Sequence, residues 1–168
     1  GKLIAFAGRA LAEGDEPKYM NSPETAIYRK SAVLYNLHRA RKPIRDKTYS
    51  ILVEGYMDVI GLHGAGFANA IAPCGTAFTT GQVQMLRRHS DNVVVNFDPD
   101  RAGMAAAERA IQLLLDESMR IKVLALPGGL DPDEFVNERG AEAYLDAVRH
   151  APRYFHWLAD RARSQFDM

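Results

Sequence analysis

Residues 49–60 read Tyr-Ser-Ile-Leu-Val-Glu-Gly-Tyr-Met-Asp-Val-Ile, and this segment decides the fold. The apolar run before Glu54 predicts a buried strand of a parallel sheet, and the residues after Gly55 predict a helix. Glu54 therefore stands where the strand ends, and Asp58 follows about one helical turn later. Open α/β folds bind their ligands at the carboxyl ends of their strands, so Glu54 marks a candidate ligand site.

Further strands follow this one along the chain, and predicted helices separate them. Apolar runs predict these strands at about residues 67–72, 92–97 and 121–126. Strands that alternate with helices in this way indicate a parallel sheet with right-handed crossovers. Numbering the strands from the segment 49–60, we expect the order 2-1-3-4, because this order brings the ends of strands one, three and four to one crevice.

Acidic residues follow these strand ends. The set comprises Glu54, Asp58, Asp98, Asp100, Asp131 and Asp133. Carboxylates clustered in one crevice cannot all stay ionised without counter-charge, which hard divalent cations such as Mg²⁺ supply. Paired metal ions about 3.5–4 Å apart are the usual device of phosphoryl and nucleotidyl transfer. One acid after a strand is more often only a helix N-cap, so it is the coincidence of several such ends that favours a metal site.

The region before the sheet is basic. Residues 1–49 hold ten Lys and Arg against five Asp and Glu, whereas the rest of the chain holds eleven against sixteen. Arg9 follows a glycine, and Lys18 lies in a loop with Tyr19 and Asn21. Side chains in such places can reach a phosphate, although solvated surface charge is the ordinary interpretation of basic residues.

Short elements are expected on both sides of the sheet. They are a strand at 3–7, a helix starting at Ser22, a helix at about 30–41, two helices at about 133–138 and 140–149, and a last helix from 152 to about 165. Ser22-Pro23-Glu24 combines an N-cap serine with proline at the first helical position. Pro43 should end or kink the helix at 30–41.

Composition limits the class of protein. The chain has 168 residues, 47% hydrophobic and 25% charged, as in ordinary globular domains. No apolar run approaches the roughly 18–20 residues that span a bilayer, and no signal peptide is visible. The single cysteine, Cys74, excludes an internal disulfide and argues against a zinc site built from cysteines. We therefore expect no membrane partner and a reducing, cytoplasmic location.

Two segments of this sequence resemble a known signature. Residues 53–60 (Val-Glu-Gly-Tyr-Met-Asp-Val-Ile) and 96–103 (Asn-Phe-Asp-Pro-Asp-Arg-Ala-Gly) are similar to the Toprim motifs of bacterial primases, type IA and II topoisomerases and some nucleases. DnaG-type bacterial primase specifically is resembled by Glu-Gly-Tyr-Met-Asp at 54–58, by residues 17–25 (Pro-Lys-Tyr-Met-Asn-Ser-Pro-Glu-Thr) and by Lys30-Ser31 before Leu34-Tyr35. Residues 74–77 (Cys-Gly-Thr-Ala) and 129–133 (Gly-Leu-Asp-Pro-Asp) also fall where that family has similar residues. The resemblance runs over nearly the whole chain.

The resemblance implies a fold and a set of site residues. The fold is a Toprim-like, Rossmann-related α/β fold of three layers around a parallel four-stranded sheet, preceded by a small basic α+β piece and followed by C-terminal helices. Glu54, Asp98 and Asp100 would be catalytic and bind metal, and Asp58, Asp131 and Asp133 would complete the metal site. The residues expected to bind nucleotide phosphates and template are Arg9, Lys18, Asn21 and Lys30.

The resemblance also implies domains, cofactors and partners. Residues 1–48 would end the basic N-terminal subdomain of a primase core, residues 49–138 would form the Toprim domain, and residues 139–168 would begin a helical subdomain. The implied cofactor is Mg²⁺ or Mn²⁺, with no zinc in this segment. The implied partners are a single-stranded DNA template, ribonucleoside triphosphates, and the replicative helicase through a domain absent here. The protein would act as a monomer at the replication fork, in the nucleoid.

Alternatives to primer synthesis remain at this point. One is another Toprim enzyme, a nuclease or topoisomerase, although a topoisomerase needs a nucleophilic tyrosine in a separate domain. A second is a module that binds metal and nucleotide without turnover. A third is a receiver domain or aspartyl phosphatase, which needs a lysine late in the sheet. Lys122, early in its strand, is the only lysine after residue 50 and counts against this third class.

Overall fold

The computed structural model describes residues 2–10, 14, 16–17 and 19–166, with side chains through residue 164. Its strands are β1 (Ala7–Arg9), β2 (Tyr19–Asn21), β3 (Leu34–Tyr35), β4 (Ser50–Leu52), β5 (Ala70–Pro73), β6 (Asn92–Val95) and β7 (Arg120–Val123). Its helices are α1 (Leu37–Lys47), α2 (Tyr56–Gly64), α3 (Thr80–Arg87), α4 (Arg101–Asp116), α5 (Pro132–His150) and α6 (Tyr154–Phe166).

The central sheet has five strands in the order β3-β5-β4-β6-β7. Strands β5, β4, β6 and β7 are parallel, and they correspond to predicted strands 2, 1, 3 and 4, so the expected order of these four is confirmed. The expected count of four strands was wrong, because β3 adds to the edge of the sheet antiparallel to β5. A strand of two residues offers too little apolar alternation to be predicted from sequence.

Two apolar cores lie on opposite faces of this sheet, which makes the fold three-layered as expected. Neighbouring residues of β4 point to different faces: Leu52 packs with α1, α3 and α4, whereas Ile51 packs with α2 and α5. This alternation is the period-two geometry of a strand, and both faces are covered, as parallel sheets require. The carboxyl ends of the parallel strands consequently open at one edge between the two helical layers.

The N-terminal elements differ from expectation. The predicted strand at 3–7 is replaced by β1 at Ala7–Arg9, which pairs antiparallel with β2 in a separate two-stranded sheet. No helix starts at Ser22, because its side-chain oxygen instead accepts a hydrogen bond from the backbone N–H of Phe6 at 2.9 Å. Because its oxygen accepts this hydrogen bond, Ser22 does not cap a helix.

The helix predicted at 30–41 starts later, at Leu37. A short 3₁₀ turn (Lys30–Ala32) and β3 precede it, and the helix continues through Pro43. Its buried positions are Leu37, Ala40 and Ile44, which are spaced three and four residues apart and so define the helical face.

The C-terminal helices agree with expectation. Helix α5 contains Gly140 at φ 84°, a conformation that interrupts a helix, so residues 132–150 form two helical pieces much as predicted. Helix α6 follows, two residues later than expected. Within the described residues, no helix has the length and apolar character needed to span a membrane.

Candidate functional site

Glu54 lies just beyond β4, at the carboxyl edge of the parallel strands. The backbone of Asp98 is close enough to the Glu54 carboxylate to favour its ionised form and so to lower its pKa. Partial burial of the carboxyl group raises the pKa of Glu54, the charges of Asp98 and Asp100 raise it further, and the guanidinium of Arg109 opposes this shift. Arg109 was not identified from sequence, because its position in the middle of α4 carries no motif.

The loop after β6 carries Asp98 and Asp100. Asp100 is the N-cap of α4, and its Oδ1 accepts a hydrogen bond from the N–H of Gly103 at 2.6 Å. Gly103 packs directly on the Asp98 backbone, where a β-carbon would overlap the Asp98 carbonyl. Asp100 therefore serves as a helix cap, and the cap fixes the loop that presents Asp98 to Glu54.

A buried polar network anchors the start of this loop. Asn96 donates from Nδ2 to the carbonyl of Leu124 at 3.2 Å, and its Oδ1 accepts a hydrogen bond from the Tyr144 hydroxyl at 2.8 Å. Both side chains are almost fully buried. The network ties the ends of β6 and β7 to α5, so it sets the spacing between two of the acidic loops. An asparagine ending an apolar strand was the only sequence signal for it.

Asp58 is the most buried acid of the site, with 7% of its surface exposed. Its Oδ2 accepts a hydrogen bond from the Gly55 backbone N–H at 2.9 Å at the start of α2. Burial raises the pKa of Asp58 to about 7 in spite of that hydrogen bond, and the charges of Asp98, Asp131 and Asp133 add to the shift. Asp58 thus lies near three of the other five acids.

The last two acids begin α5. Asp131 is its N-cap and accepts from the N–H of Glu134 at 2.7 Å, while Asp133 accepts from Asn137 Nδ2 at 3.0 Å. The Asp133 carboxylate lies against Gly61 of α2, where a β-carbon would overlap it. The glycine therefore lets α2 and α5 bring Asp133 towards Asp58.

The six acids form two groups that share Asp98. Glu54 faces Asp98 and Asp100, whereas Asp58 faces Asp98 and the pair that begins α5. Across the described part of the chain, no three His, Cys, Asp or Glu side chains are close enough to form a ready-made metal cage. The donor set nevertheless suits a hard cation, because it consists of carboxylate oxygens whose repulsion a cation would relieve.

A basic and aromatic group borders the acids. The Arg9 guanidinium lies 5.7 Å from the centre of the Tyr19 ring. Burial raises the pKa of the Tyr19 hydroxyl, Arg9 opposes the shift, and the charges of Asp58, Asp98 and Asp131 reinforce it, so this ring lies between Arg9 and the acids. The sheet of β1 and β2 therefore presents a cation beside the carboxylates.

The other predicted phosphate ligands lie differently. Asn21 accepts a hydrogen bond from the Tyr56 hydroxyl and packs against Gly75, next to the Tyr19 ring. Lys30 lies on the 3₁₀ turn, where its charge lowers the pKa of the Cys74 thiol against the larger effect of burial. Lys18 lies outside the described residues. The structure thus places Arg9 and Asn21 near the acids and Lys30 near Cys74.

A small cleft opens beside Glu54. It has a volume of about 220 Å³, and its lining includes Thr76, Phe78, Phe97 and Arg109. One wall is apolar and aromatic, while Glu54 and Arg109 supply opposite charges at the other. Sequence patterns did not indicate this cleft, because its lining comes from three separate loops and a helix.

Without metal, replacing Asp58 by Asn is expected to stabilise the fold above neutral pH. The raised pKa means that the folded wild type binds a proton more tightly than the unfolded chain, whose Asp pKa is about 3.9. Wild-type stability should therefore fall as pH rises from about 4 to 7, by roughly 2–4 kcal/mol in all. The substituted amide can still accept the Gly55 hydrogen bond but does not titrate. Urea unfolding in EDTA at pH 4.5 and pH 8 measures the difference.

The control for this prediction is Asp46→Asn, an exposed carboxylate paired with Lys42. It should change stability by less than about 0.5 kcal/mol at both pH values. An Asp58→Asn effect of equal size at pH 4.5 and pH 8 would contradict the titration argument.

Comparison with known proteins places this site in a family. The Toprim-like family model matches residues 51–136, and the model of the DNA primase catalytic core, N-terminal domain, matches residues 1–41. The chain is 42% identical to the DNA primase of Synechococcus elongatus over 167 residues, 96% of this chain and 24% of that protein. It is 46% identical to the DNA primase of Geobacillus stearothermophilus over 144 residues, 86% of this chain and 24% of that protein.

Solved structures give the same result. The Aquifex aeolicus primase, crystallised as its zinc-binding and RNA polymerase domains, superposes with a TM-score of 0.90 at 36% identity, over 99% of this chain and 41% of that one. A DnaG primase catalytic domain bound to single-stranded DNA superposes with a TM-score of 0.84 at 37% identity, over 97% of this chain and 52% of that one. The chain spans about a quarter of the length of the curated relatives it matches. By its matched domain the chain belongs to the Toprim-like family, and the relatives and solved structures named here, to which it is similar, are DNA primases.

Proposed function

We propose that this chain is the Toprim-centred part of a primase core, which synthesises short RNA primers on single-stranded DNA. The observation that carries the proposal is the meeting of six carboxylates at one sheet edge, with Asp98 shared between two groups and the Arg9–Tyr19 pair beside them. In this reaction a primer 3′-hydroxyl attacks the α-phosphate of a ribonucleoside triphosphate, and pyrophosphate leaves.

In this proposal the acids hold divalent metal, either Mg²⁺ or Mn²⁺. Glu54, Asp98 and Asp100 are the catalytic ligands, and the remaining three acids, Asp58, Asp131 and Asp133, complete or support the site. Metal bound here would lower the pKa of the attacking hydroxyl and neutralise charge on the leaving group. The raised pKa values of Glu54 and Asp58 support this assignment, because burial and the neighbouring carboxylates both disfavour their ionised forms, and a bound cation would offset these effects.

The phosphates and template are assigned to the basic side of the site. Arg9 lies beside the acids, where its guanidinium can bind a phosphate that also reaches the metal. Asn21 supplies an amide at the same border, and Lys18 and Lys30 are assigned to the template or the triphosphate on the family resemblance. Arg109 is added as a positioning residue, because its charge favours the ionised form of Glu54.

The remaining assignments follow from the relatives. One of the similar structures is a primase domain bound to single-stranded DNA, which supports such a strand as template here. Ribonucleoside triphosphates as substrates, a replicative helicase bound through another domain, and a monomer at the replication fork are part of the same proposal. The proposal also divides the chain at residues 1–48, 49–138 and 139–168. The family matches at residues 1–41 and 51–136 support this division in outline.

A second candidate is a module that binds metal and nucleotide without turnover. The same acids and the Arg9–Tyr19 pair would supply its ligands, so geometry alone does not require turnover. Another Toprim enzyme, a nuclease or topoisomerase, is less well supported, because the match of residues 1–41 is to a primase domain.

Primer synthesis by a core that carries this chain tests the proposal. With single-stranded DNA, labelled ribonucleoside triphosphates and Mg²⁺ or Mn²⁺, we expect short labelled RNA, and none when EDTA is present or the template is omitted. The isolated chain is measured in parallel for Mn²⁺ and nucleotide binding. Binding by the core without RNA would favour the second candidate, and cleavage of the DNA would favour a nuclease.

A further inference from the structure

The edge of the sheet opposite the acids carries a second concave surface, which we call the basal cleft. It has a volume of about 680 Å³ and lies where β4, β6 and β7 begin, between the last turn of α5 and the first turn of α6. Its polar and aromatic lining includes Tyr49, Arg120, Lys122, Arg149, Arg153 and Phe155. The proposed primer synthesis makes no use of these residues.

Among the described residues, every charged side chain that lines the cleft is a cation. None of the described residues that line it is Asp or Glu, although the whole chain has equal numbers of acidic and basic residues. Among the described ion pairs, only Arg120 of this group takes part, at 4.0 Å from Asp91, which Arg87 shares at 3.6 Å. The cleft therefore holds positive charge that the protein itself does not neutralise.

The chain holds these cations in place. The Lys122 ammonium donates to the Arg149 carbonyl at 3.0 Å, and Lys122 forms an isolated β-bridge with Arg153. The Arg149 guanidinium is close enough to lower the pKa of the Tyr49 hydroxyl, against the larger effect of burial. Main-chain and side-chain contacts thus bring cations from β7, α5 and the turn before α6 to one wall, unlike cations scattered along a solvated helix.

An exposed aromatic ring in the lining of the cleft adds a different kind of contact. Phe155 is 70% exposed and lies next to Tyr154, with ring centres 5.3 Å apart. Proteins bind single-stranded nucleic acids with cations that contact the phosphates and with exposed aromatic rings on which bases stack. The cleft offers both kinds of contact. An apolar peptide would leave the cations unpaired, and a concave cleft of this size does not admit a duplex.

We propose that the basal cleft binds the sugar–phosphate backbone of a single-stranded nucleic acid, with one base stacked on Phe155. The strand is either DNA or RNA, since both present the same phosphates and base faces. This site lies at the opposite end of the strands from the carboxylates, so it holds a part of the strand away from the reacting phosphate.

Equilibrium binding to the full 168-residue chain tests the proposal. Fluorescence anisotropy is measured in EDTA with a labelled single-stranded DNA of mixed sequence and with RNA of the same sequence. Arg149→Gln combined with Arg153→Gln should raise Kd about 5-fold or more and reduce the slope of log K against log salt by about 1.4, because each phosphate no longer neutralised lowers the slope by about 0.7. Phe155→Ala should raise Kd about 5-fold or more at unchanged salt slope.

Two controls make comparable changes outside the cleft. Arg139→Gln with Arg163→Gln removes two exposed arginines outside the cleft, and Ile60→Ala removes an exposed apolar side chain on α2. Both should leave Kd within about 2-fold. Arg120→Gln, at a side chain 74% exposed, repeats the charge test should the double variant fail to fold.

The two nucleic acids separate the sources of the strand. If the cleft variants lose affinity for DNA alone, the cleft binds template, and if they lose affinity for RNA alone, it binds product. An equal loss of affinity for both strands means that the cleft binds the backbone that DNA and RNA share. Cleft variants that bind both strands like their controls would overturn the proposal. Because the assay needs neither metal nor turnover, its outcome is independent of whether the chain synthesises primers.

Discussion

Replacing Glu54 by Gln, or Asp98 by Asn, is expected to abolish metal-dependent RNA synthesis, with a fall of about 10³-fold or more. Each change keeps the shape of the side chain and removes one negative charge from the edge where Glu54 faces Asp98. Loss of a metal ligand removes transition-state stabilisation worth several kcal/mol, and each 1.36 kcal/mol is tenfold in rate.

The same variants are expected to fold as well as the wild type. Burial and the charges of Asp98 and Asp100 raise the pKa of Glu54, so the ionised carboxylates destabilise the metal-free fold. Removing one of them should leave the melting temperature in EDTA unchanged or higher. Activity and stability therefore move in opposite directions, which distinguishes a ligand from a residue that only supports the fold.

Primer yield with Mg²⁺, Mn²⁺ binding and thermal melting in EDTA measure these effects in a core that carries this chain. Glu142→Gln is the matched control, since it makes the same chemical change at an exposed position on α5. It should keep wild-type activity. Wild-type primer yield from either Glu54→Gln or Asp98→Asn would remove that residue from the proposed catalytic set.

The sheet could be predicted from sequence because it rests on long apolar runs separated by helices. The runs around Ile51 and Val94 are buried on both faces, and their order followed from the need to bring acidic strand ends together. Strand β3 and the β1–β2 pair could not be predicted, because they have two or three residues each and depend on partners distant in sequence. The helix wrongly predicted at Ser22 shows the same limit. The Ser22 hydroxyl oxygen accepts a hydrogen bond from the Phe6 backbone N–H, and not from a backbone N–H of a following helix.

The location of the acids at one sheet edge could be predicted because they lie on the connections that follow β4, β6 and β7, whereas their role as metal ligands stays a prediction. Arg109 and the Asn96–Tyr144 hydrogen bond could not be predicted, because their role depends on which helices pack against the sheet. The N-cap interpretation of a lone acid was also correct for Asp100 and Asp131, each of which caps a helix. Capping and clustering are compatible, since a capped helix holds its first carboxylate at the sheet edge.

Replacing Gly103 by Ala is expected to displace the loop that carries Asp98 and Asp100. An added β-carbon would lie 3.0 Å from both the carbonyl carbon and the β-carbon of Asp98, and closer still to its carbonyl oxygen. These neighbours are mostly backbone, so the loop must move, and misplacing a catalytic group by about 1 Å can cost about 100-fold in rate. We expect such a loss in primer synthesis, with destabilisation of about 1–3 kcal/mol from overpacking.

Gly81→Ala provides the matched control, because Gly81 also lies in the first turn of a helix, α3, and nothing lies within 4 Å of an added β-carbon. Alanine there should stabilise the chain by up to about 1 kcal/mol through helix propensity and leave activity unchanged. At Gly103 the same gain in propensity is present, so the difference between the stability changes of Gly103→Ala and Gly81→Ala measures the steric cost. If Gly103→Ala instead behaves like Gly81→Ala in urea unfolding and in primer yield, the close approach of α4 to Asp98 does not position the catalytic acids.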